Sequence, residues 1–507
     1  MKIFTKTNIA SLAVSTIIGA SMFLIGAQPT MAQDNFSAQK NIEVEICEIS
    51  SKSQKPKYIF AFLGDGMSHT QINSAQIYQS ALNFGGAFKI YPLSFTEFPY
   101  LGNIYTQDST SFSPDSASTA TSLLTGEKTH SGVIGLGADK ITVLDSLPEL
   151  LKEDGYKIGI VSTVTLNHAT PAASYAHNIS RDNYYDIGLE MATSNFDYFA
   201  GGNVSESGKE DDEPGLHSVM IENGYTILQD KEDIMNLNAD SGKVYAITPG
   251  LEIGDAMPYS IDHVEGELTL VDHVANGIKV LDNEENGFFM WIESGKIDWA
   301  GHANDARTNI DETIAFDEAV QEAINFYNEH PDETLIIVTG DHETGGMTIG
   351  QATTGYDTAF ELLEYQTMSY DEFDLVIEDI LAETPEPSLE DIMPVITENF
   401  GLGNDDLPLA DYDIERLEDA LVRTVFDGDD EDYEDFSREN ELYGGYLPLT
   451  VTLTHILNEK AGVGWTSYSH TGSPVPVYAI GVGAQNFAGT YDNTDIFHKL
   501  AELTDVK

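Results

Sequence analysis

Short, continuous apolar runs alternate along this chain with longer helical patterns. Tyr58 to Leu63 is the first strong run. Lys157 to Val161, Tyr198 to Ala200, Val244 to Ile247, Phe288 to Ile292, Leu335 to Val338 and Val475 to Ile480 repeat it. Apolar residues without a polar alternate predict strands buried on both faces. Helical patterns lie between several of them, at 144–153, 268–281 and, longest, 310–328. Strands alternating with helices make βαβ units. The expected class is therefore α/β, a mostly parallel central sheet with helices on both faces.

The alternation breaks between about 351 and 446. Acids dominate there, as in Asp371-Glu372-Phe373-Asp374, but Leu, Ile, Phe and Tyr are interleaved among them. This predicts a large acidic insertion with helices of its own, interrupting the sheet domain before its last strand, Val475 to Ile480. The Asp429 to Asp435 run lacks the spacing and glycine of an EF-hand and reads as a solvated acidic face. At the other end, Lys2 and Lys6 precede an apolar stretch, Ile9 to Ile25, and Thr30-Met31-Ala32 offers a small-residue cleavage site. Residues 1–32 thus read as a secretory signal and 33–507 as an exported, periplasmic or extracellular domain. No later stretch is apolar enough to span a bilayer.

Charge narrows the partners. The chain holds 84 acidic and 24 basic residues, a net charge of −60. Such a surface repels nucleic acid and anionic membranes. With 41% hydrophobic residues the chain still has the makings of a core, so the acidity reads as adaptation to high salt, which screens self-repulsion. An anion can bind only where local positive charge overcomes this field. The single cysteine, Cys47, excludes an intramolecular disulfide and has no motif around it. The fold then rests on its core and on any metals it binds.

In open parallel sheets, chemistry gathers beyond the carboxyl ends of the strands. Asp65 directly follows the first run and Glu293 follows Phe288 to Ile292. Asp341 and His342 come just after Leu335 to Val338, and His470 precedes Val475 to Ile480. Asp298 and His302 are four apart and share a face if helical. A carboxylate with imidazoles suits Zn²⁺, although an exposed i,i+4 pair fits the same spacing. Glu293 suits a harder cation such as Mg²⁺. His168 and Thr170 lie in Asn167-His168-Ala169-Thr170-Pro171-Ala172-Ala173, also after a strand. Nearby stands Arg181, one of five arginines. It is either a bidentate anion clamp or a surface ion pair. Ser116 sits in Pro114-Asp115-Ser116-Ala117-Ser118-Thr119, where a polar loop becomes a run of small residues. A helix N-terminus there would favour an anion and an alkoxide. A helix cap is the plain alternative, and serine needs a base or metal to become a nucleophile.

Six segments occur here in the order found in alkaline phosphatases. They are Gly64-Asp65-Gly66-Met67, Pro114-Asp115-Ser116-Ala117, Asn167 to Ala173 with Arg181, Glu293 to His302, Asp341-His342, and His470-Thr471-Gly472. The chain resembles that family over about 58–350 and again over 469–481. The resemblance implies hydrolysis of phosphate monoesters through a phosphoserine on Ser116, with Arg181 clamping the phosphate. It implies two Zn²⁺ and one Mg²⁺ per subunit. Asp298, His302 and His470 would hold one Zn²⁺. Asp65, Asp341 and His342 would hold the other, with Ser116 as its reactive ligand. Asp65, Thr170 and Glu293 would hold Mg²⁺.

His168 and Trp299 stand where the best-known bacterial pattern has an acid and a lysine, as in one bacterial subgroup. His168 would bring imidazole to the third site, where Zn²⁺ or Co²⁺ competes with Mg²⁺. Loss of the lysine to Trp299 implies weaker product affinity. The 351–446 interval would take the place of the family's crown or large interface loop, giving a homodimer. The alternative is a phosphodiesterase or sulfatase of the same superfamily. Ser116 is followed by Ala-Ser-Thr rather than the sulfatase x-P-x-R, and Thr170 and Glu293 keep a third site that diesterases usually lack. A degenerate metal-binding protein would miss a ligand or the nucleophile, and none is missing.

Overall fold

The computed structural model describes residues 55–84, 88–282, 286–426 and 436–507. The expected signal peptide, Cys47 and the Asp429 to Asp435 run lie outside the described residues. Fourteen strands occur among the described residues. They are β1 (Tyr58–Gly64), β2 (Tyr100–Tyr105), β3 (Lys157–Ser162), β4 (Tyr198–Gly201), β5 (Thr226–Leu228), β6 (Val244–Ile247), β7 (Phe288–Ser294), β8 (Thr334–Gly340), β9 (Glu343–Thr344), β10 (Thr348–Ile349), β11 (Val463–Gly464), β12 (His470–Thr471), β13 (Val475–Gly481) and β14 (Gly489–Asp492). Ten form one sheet in the order β14-β2-β13-β8-β1-β7-β3-β4-β6-β5, and β10-β11 and β12-β9 are small antiparallel pairs.

All seven predicted apolar runs are strands of the large sheet. β1 lies between β7 and β8 and is parallel to both. β13 is reversed, antiparallel to β8 and β2, so the sheet is mostly parallel. One expectation is corrected: Val475–Gly481 is not the last strand, because β14 follows and pairs with β2 at the sheet edge. β14 is Gly-Thr-Tyr-Asp and partly exposed, so it carries no apolar run.

Alternate residues of the central strands enter two separate cores, as strand pleating requires. Phe60, Phe62, Phe288, Met290, Ile336 and Val338 pack on one face with Ile310, Phe316 and Val320 of the Ala306–Glu329 helix. Ile59, Ala61, Phe289, Trp291 and Ile337 pack on the other with Leu123, Leu124 and Leu500 from helices Ser116–Thr125 and Thr494–Thr504.

The described residues of the 351–446 interval form helices at Phe360–Tyr365, Tyr370–Glu383, Leu389–Phe400, Asp411–Phe426 and Phe436–Tyr443. Its Phe373, Ile377, Ile392, Ile396 and Leu417 join the first core alongside Leu449 and Leu453. No helix among the described residues is long and apolar enough to cross a membrane.

Candidate active site

Three neighbouring strands end together. Gly64 of β1 pairs with Ser294 of β7 and with Gly340 of β8. That register sets Asp65, Glu293 and Asp341 side by side at the carboxyl edge, all fully buried. The turn after Asp65 needs glycine: Gly66 has φ +72°, and a Cβ there would lie 2.9 Å from the Asp298 backbone. This close approach brings the Lys296–His302 helix against the strand ends.

The predicted ligands converge in three clusters, each with its donor atoms within 4.8 Å of one another. They are Asp298, His302 and His470; Asp65, Asp341 and His342; and Asp65, His168 and Glu293. Asp65 belongs to two of them. Thr170 stands beside the third and donates through Oγ1 to Asp65 Oδ2 at 3.3 Å.

Hydrogen bonds fix the imidazole tautomers. Nδ1 of His302 lies 2.6 Å from the Tyr468 carbonyl, and Nδ1 of His470 lies 2.6 Å from the Pro114 carbonyl. A carbonyl only accepts, so both Nδ1 atoms carry hydrogen and both Nε2 lone pairs point inward. Those Nε2 atoms are 3.1 Å apart and face the Asp298 carboxylate at 3.3 and 3.5 Å. Two lone pairs and an anion in contact require a proton or a cation among them.

Asp115, not Ser116, caps the Ser116–Thr125 helix, and its side chain accepts from Ser118 N. Ser116 is the first helical residue, 1% exposed, with Oγ 3.2 Å from His342 Nε2. Arg181 reaches the same place. Its Nη1 donates to Asp115 Oδ2 at 3.1 Å and its Nη2 lies 3.1 Å from His168 Nε2. Ser116, Arg181, His168 and Trp299 line a cleft of about 300 Å³ with Asp298, His302 and His470. Every predicted site residue therefore lies in, or directly beneath, this one region.

The electrostatics show what the cluster demands. Burial, reinforced by Asp341, Asp298 and Glu293, pushes the Asp65 carboxyl well above the usual range. Burial raises Glu293 to about 8 against the Ser162 hydroxyl bond, and raises Asp341 to about 7. Asp298 moves the other way: burial opposes its charge, but His302 and His470 outweigh that and hold it well below the carboxylate range. His302 is raised to about 9 because Asp298 overcomes its burial. Burial, with the Arg181 cation, lowers His168 to about 3. Buried acids that resist ionisation call for positive charge among them.

Sequence reading missed a supporting layer. Thr119 Oγ1 donates to Asp341 Oδ2 at 2.8 Å, Ser162 Oγ to Glu293 Oε2 at 2.5 Å, and Thr344 Oγ1 to Asp298. It also missed Tyr370 and Tyr446 of the 351–446 interval, which line the cleft. The threonines and Ser162 lie within five residues of predicted site residues or strand ends; the tyrosines carry no local signal.

The sequence profile of the alkaline phosphatase family matches residues 56–197 and 193–506. Alkaline phosphatase 3 of Bacillus subtilis is 29% identical over 98% of this chain and 96% of its own length. Alkaline phosphatase 4 of the same organism is 28% identical over 97% and 95%. The crystal structure of a cold-active alkaline phosphatase from a psychrophilic Shewanella sp. superimposes with a TM-score of 0.72, at 27% identity, over 88% of this chain and 99% of its own.

Proposed function

The chain belongs to the alkaline phosphatase family, hydrolysing phosphate monoesters, and from that premise we propose that Ser116 is its nucleophile and works with three divalent cations. The observation that carries this reading is the placement of Ser116 Oγ at a helix N-terminus, 3.2 Å from His342, with Arg181 lining the same cleft.

The residues fit metal ions. Asp65 Oδ1 and Glu293 Oε1 are buried without a hydrogen-bond partner, and both residues belong to ligand clusters. Buried polar atoms are rarely left so. Zn²⁺ suits the Asp298-His302-His470 and Asp65-Asp341-His342 sets, and Mg²⁺ suits Asp65, Thr170 and Glu293. With His168 adjoining, the third set also admits Zn²⁺ or Co²⁺. Bound there, the two zinc ions would supply Lewis-acid stabilisation, the Asp65-Asp341-His342 set to the attacking oxygen of Ser116 and the Asp298-His302-His470 set to the leaving oxygen.

The chain's own residues do the rest. Ser116 Oγ attacks phosphorus, the ester oxygen leaves as the alcohol, and a phosphoserine remains. Water then attacks the phosphoserine, releasing inorganic phosphate and restoring the hydroxyl. Arg181 binds two phosphoryl oxygens through its planar fork. The helix N-terminus adds a modest field and orients Ser116. Trp299 and His168 border the bound phosphate.

Export to the periplasm or beyond, life in high salt and a homodimer seated on the 351–446 interval complete the proposal. They rest on the N-terminal pattern, the net charge of −60 and the resemblance. Sedimentation tests the dimer, and an active monomer would count against it. The catalytic reading is tested with Ser116→Ala. The variant should retain its metals by elemental analysis but form no acid-stable phosphoprotein. EDTA should abolish p-nitrophenyl phosphate turnover and zinc should restore it. A phosphoprotein that persists in Ser116→Ala sinks the assignment.

A further inference from the structure

One side of the cleft is built from aromatic rings. Tyr370 opens the Tyr370–Glu383 helix and Tyr446 precedes the Pro448–Ala461 helix, and both line the cleft beside Trp299. The Tyr370 and Tyr446 rings meet edge to face, with centroids 5.6 Å apart at 89°. Trp299 and Tyr446 pack on one small cluster containing Tyr259, Ala300, Ala303 and Tyr370.

This wall is held rigidly. The Tyr370 backbone N–H donates to Asp305 Oδ2 at 3.1 Å, and the Tyr259 hydroxyl donates to that of Tyr370 at 3.1 Å. Behind it, Lys296 Nζ sits 3.5 Å from the Tyr259 ring centroid. Tyr370 and Tyr259 are buried, while Tyr446 and Trp299 keep partly exposed surface. The wall shares the cleft with Asp298, His302 and His470, the cluster given above to the leaving oxygen.

We propose that Tyr446, Trp299 and Tyr370 form a specificity surface for the leaving group and make esters bearing an aromatic ring the preferred substrates. The proposal rests on the catalytic reading of the cleft given above. The phosphoryl group is gripped by charge whatever it is attached to, so discrimination must come from what the departing alcohol touches. A substrate ring against fixed, part-exposed rings gains apolar contact and edge-to-face or offset stacking, which an alkyl chain gains only in part. Fixed rings also give up little rotational freedom when the substrate binds.

The test compares 2-phenylethyl phosphate with n-butyl phosphate, two alkyl esters of similar leaving-group basicity. In the zinc- and magnesium-loaded wild type, kcat/KM should favour the phenyl ester by about tenfold, the size of one well-packed aromatic contact. Tyr446→Ala should remove most of that ratio and Tyr446→Phe should retain it. The Kd values of the two matching phosphonates, from calorimetry, should move in parallel without turnover. A structural role for Tyr446 would lower both esters alike. An unchanged ratio in Tyr446→Ala therefore overturns the proposal, as does a wild type with no preference. Failure to turn over either ester would sink the catalytic reading instead, and this proposal with it.

Discussion

Arg181 donates to Asp115 at 3.1 Å, so the residue that caps the Ser116 helix also orients the arginine proposed to clamp phosphate. The Asp115 carboxylate divides its oxygens. Oδ1 takes Ser118 N at 3.1 Å, while Oδ2 takes Arg181 and Gly132 N at 2.9 Å. Ser116, at the head of that helix, and Arg181 are thereby both positioned by one side chain.

Asp115→Asn keeps a capping oxygen but gives up the charge that orients Arg181. Loss of one charge-assisted bond, about 1.5 kcal/mol, corresponds to roughly a tenfold rise in KM and in the inhibition constant of inorganic phosphate. Steady-state kinetics with p-nitrophenyl phosphate read both. If neither moves, Arg181 is oriented by other contacts.

Trp299→Lys places a cation beside the cleft, within reach of a phosphate held by Arg181. The expected outcome is tighter product binding, with phosphate inhibiting at severalfold lower concentration and kcat falling where release limits turnover. Product-inhibition curves for the two proteins decide it. Unchanged inhibition would show that this position does not govern product affinity.

His177 provides a pH-dependent contribution to stability away from the proposed metal ligands. Its ring nitrogens lie 3.4 Å from Glu149 and 3.6 Å from Glu190. Burial opposes its charge, but these carboxylates outweigh burial and raise it to about 10 from 6.5. A cation favoured in the folded state stabilises fully below about pH 6.5, and its contribution fades as pH rises through about 10. His177→Gln should lower stability by about 1–2 kcal/mol near pH 6, with the gap closing above pH 10. Melting curves across that range check the sign. A gap that widens with pH contradicts it.

The net charge of −60 predicts a salt requirement. Self-repulsion is long-ranged at low ionic strength, whereas the screening length falls to about 3 Å near 1 M salt. Melting temperature and activity should climb with NaCl from a few millimolar toward molar concentrations. A flat response would remove high-salt adaptation as the reason for the acidity.

The central strands are legible because burial on both faces leaves no polar alternate, so β1, β7 and β8 are unbroken apolar runs. A residue that follows such a run stands at the sheet's carboxyl edge, which is why Asp65, Glu293 and Asp341 can be singled out without coordinates. β2, β5 and β14 escape notice because they are short or partly exposed and lack that run. Helices in the 351–446 interval can be expected from its interleaved apolar residues, but nothing local there marks Tyr370 or Tyr446 as cleft residues.

By itself, then, the order of residues determines the strand–helix alternation, the excess of negative charge and which segments carry the candidate ligands. Each is a local or summed property of the chain. Which strands are neighbours, and so which ligands meet, is decided only in three dimensions. The β8-β1-β7 order puts Asp341, Asp65 and Glu293 together, and the carbonyls of Tyr468 and Pro114 turn two imidazoles toward Asp298. The same holds for Ser116, which sequence leaves between cap and nucleophile. Asp115 takes the cap and His342 arrives from 226 residues away. Spacing along the chain is blind to contacts made by packing distant segments, and at this site those contacts carry the chemistry.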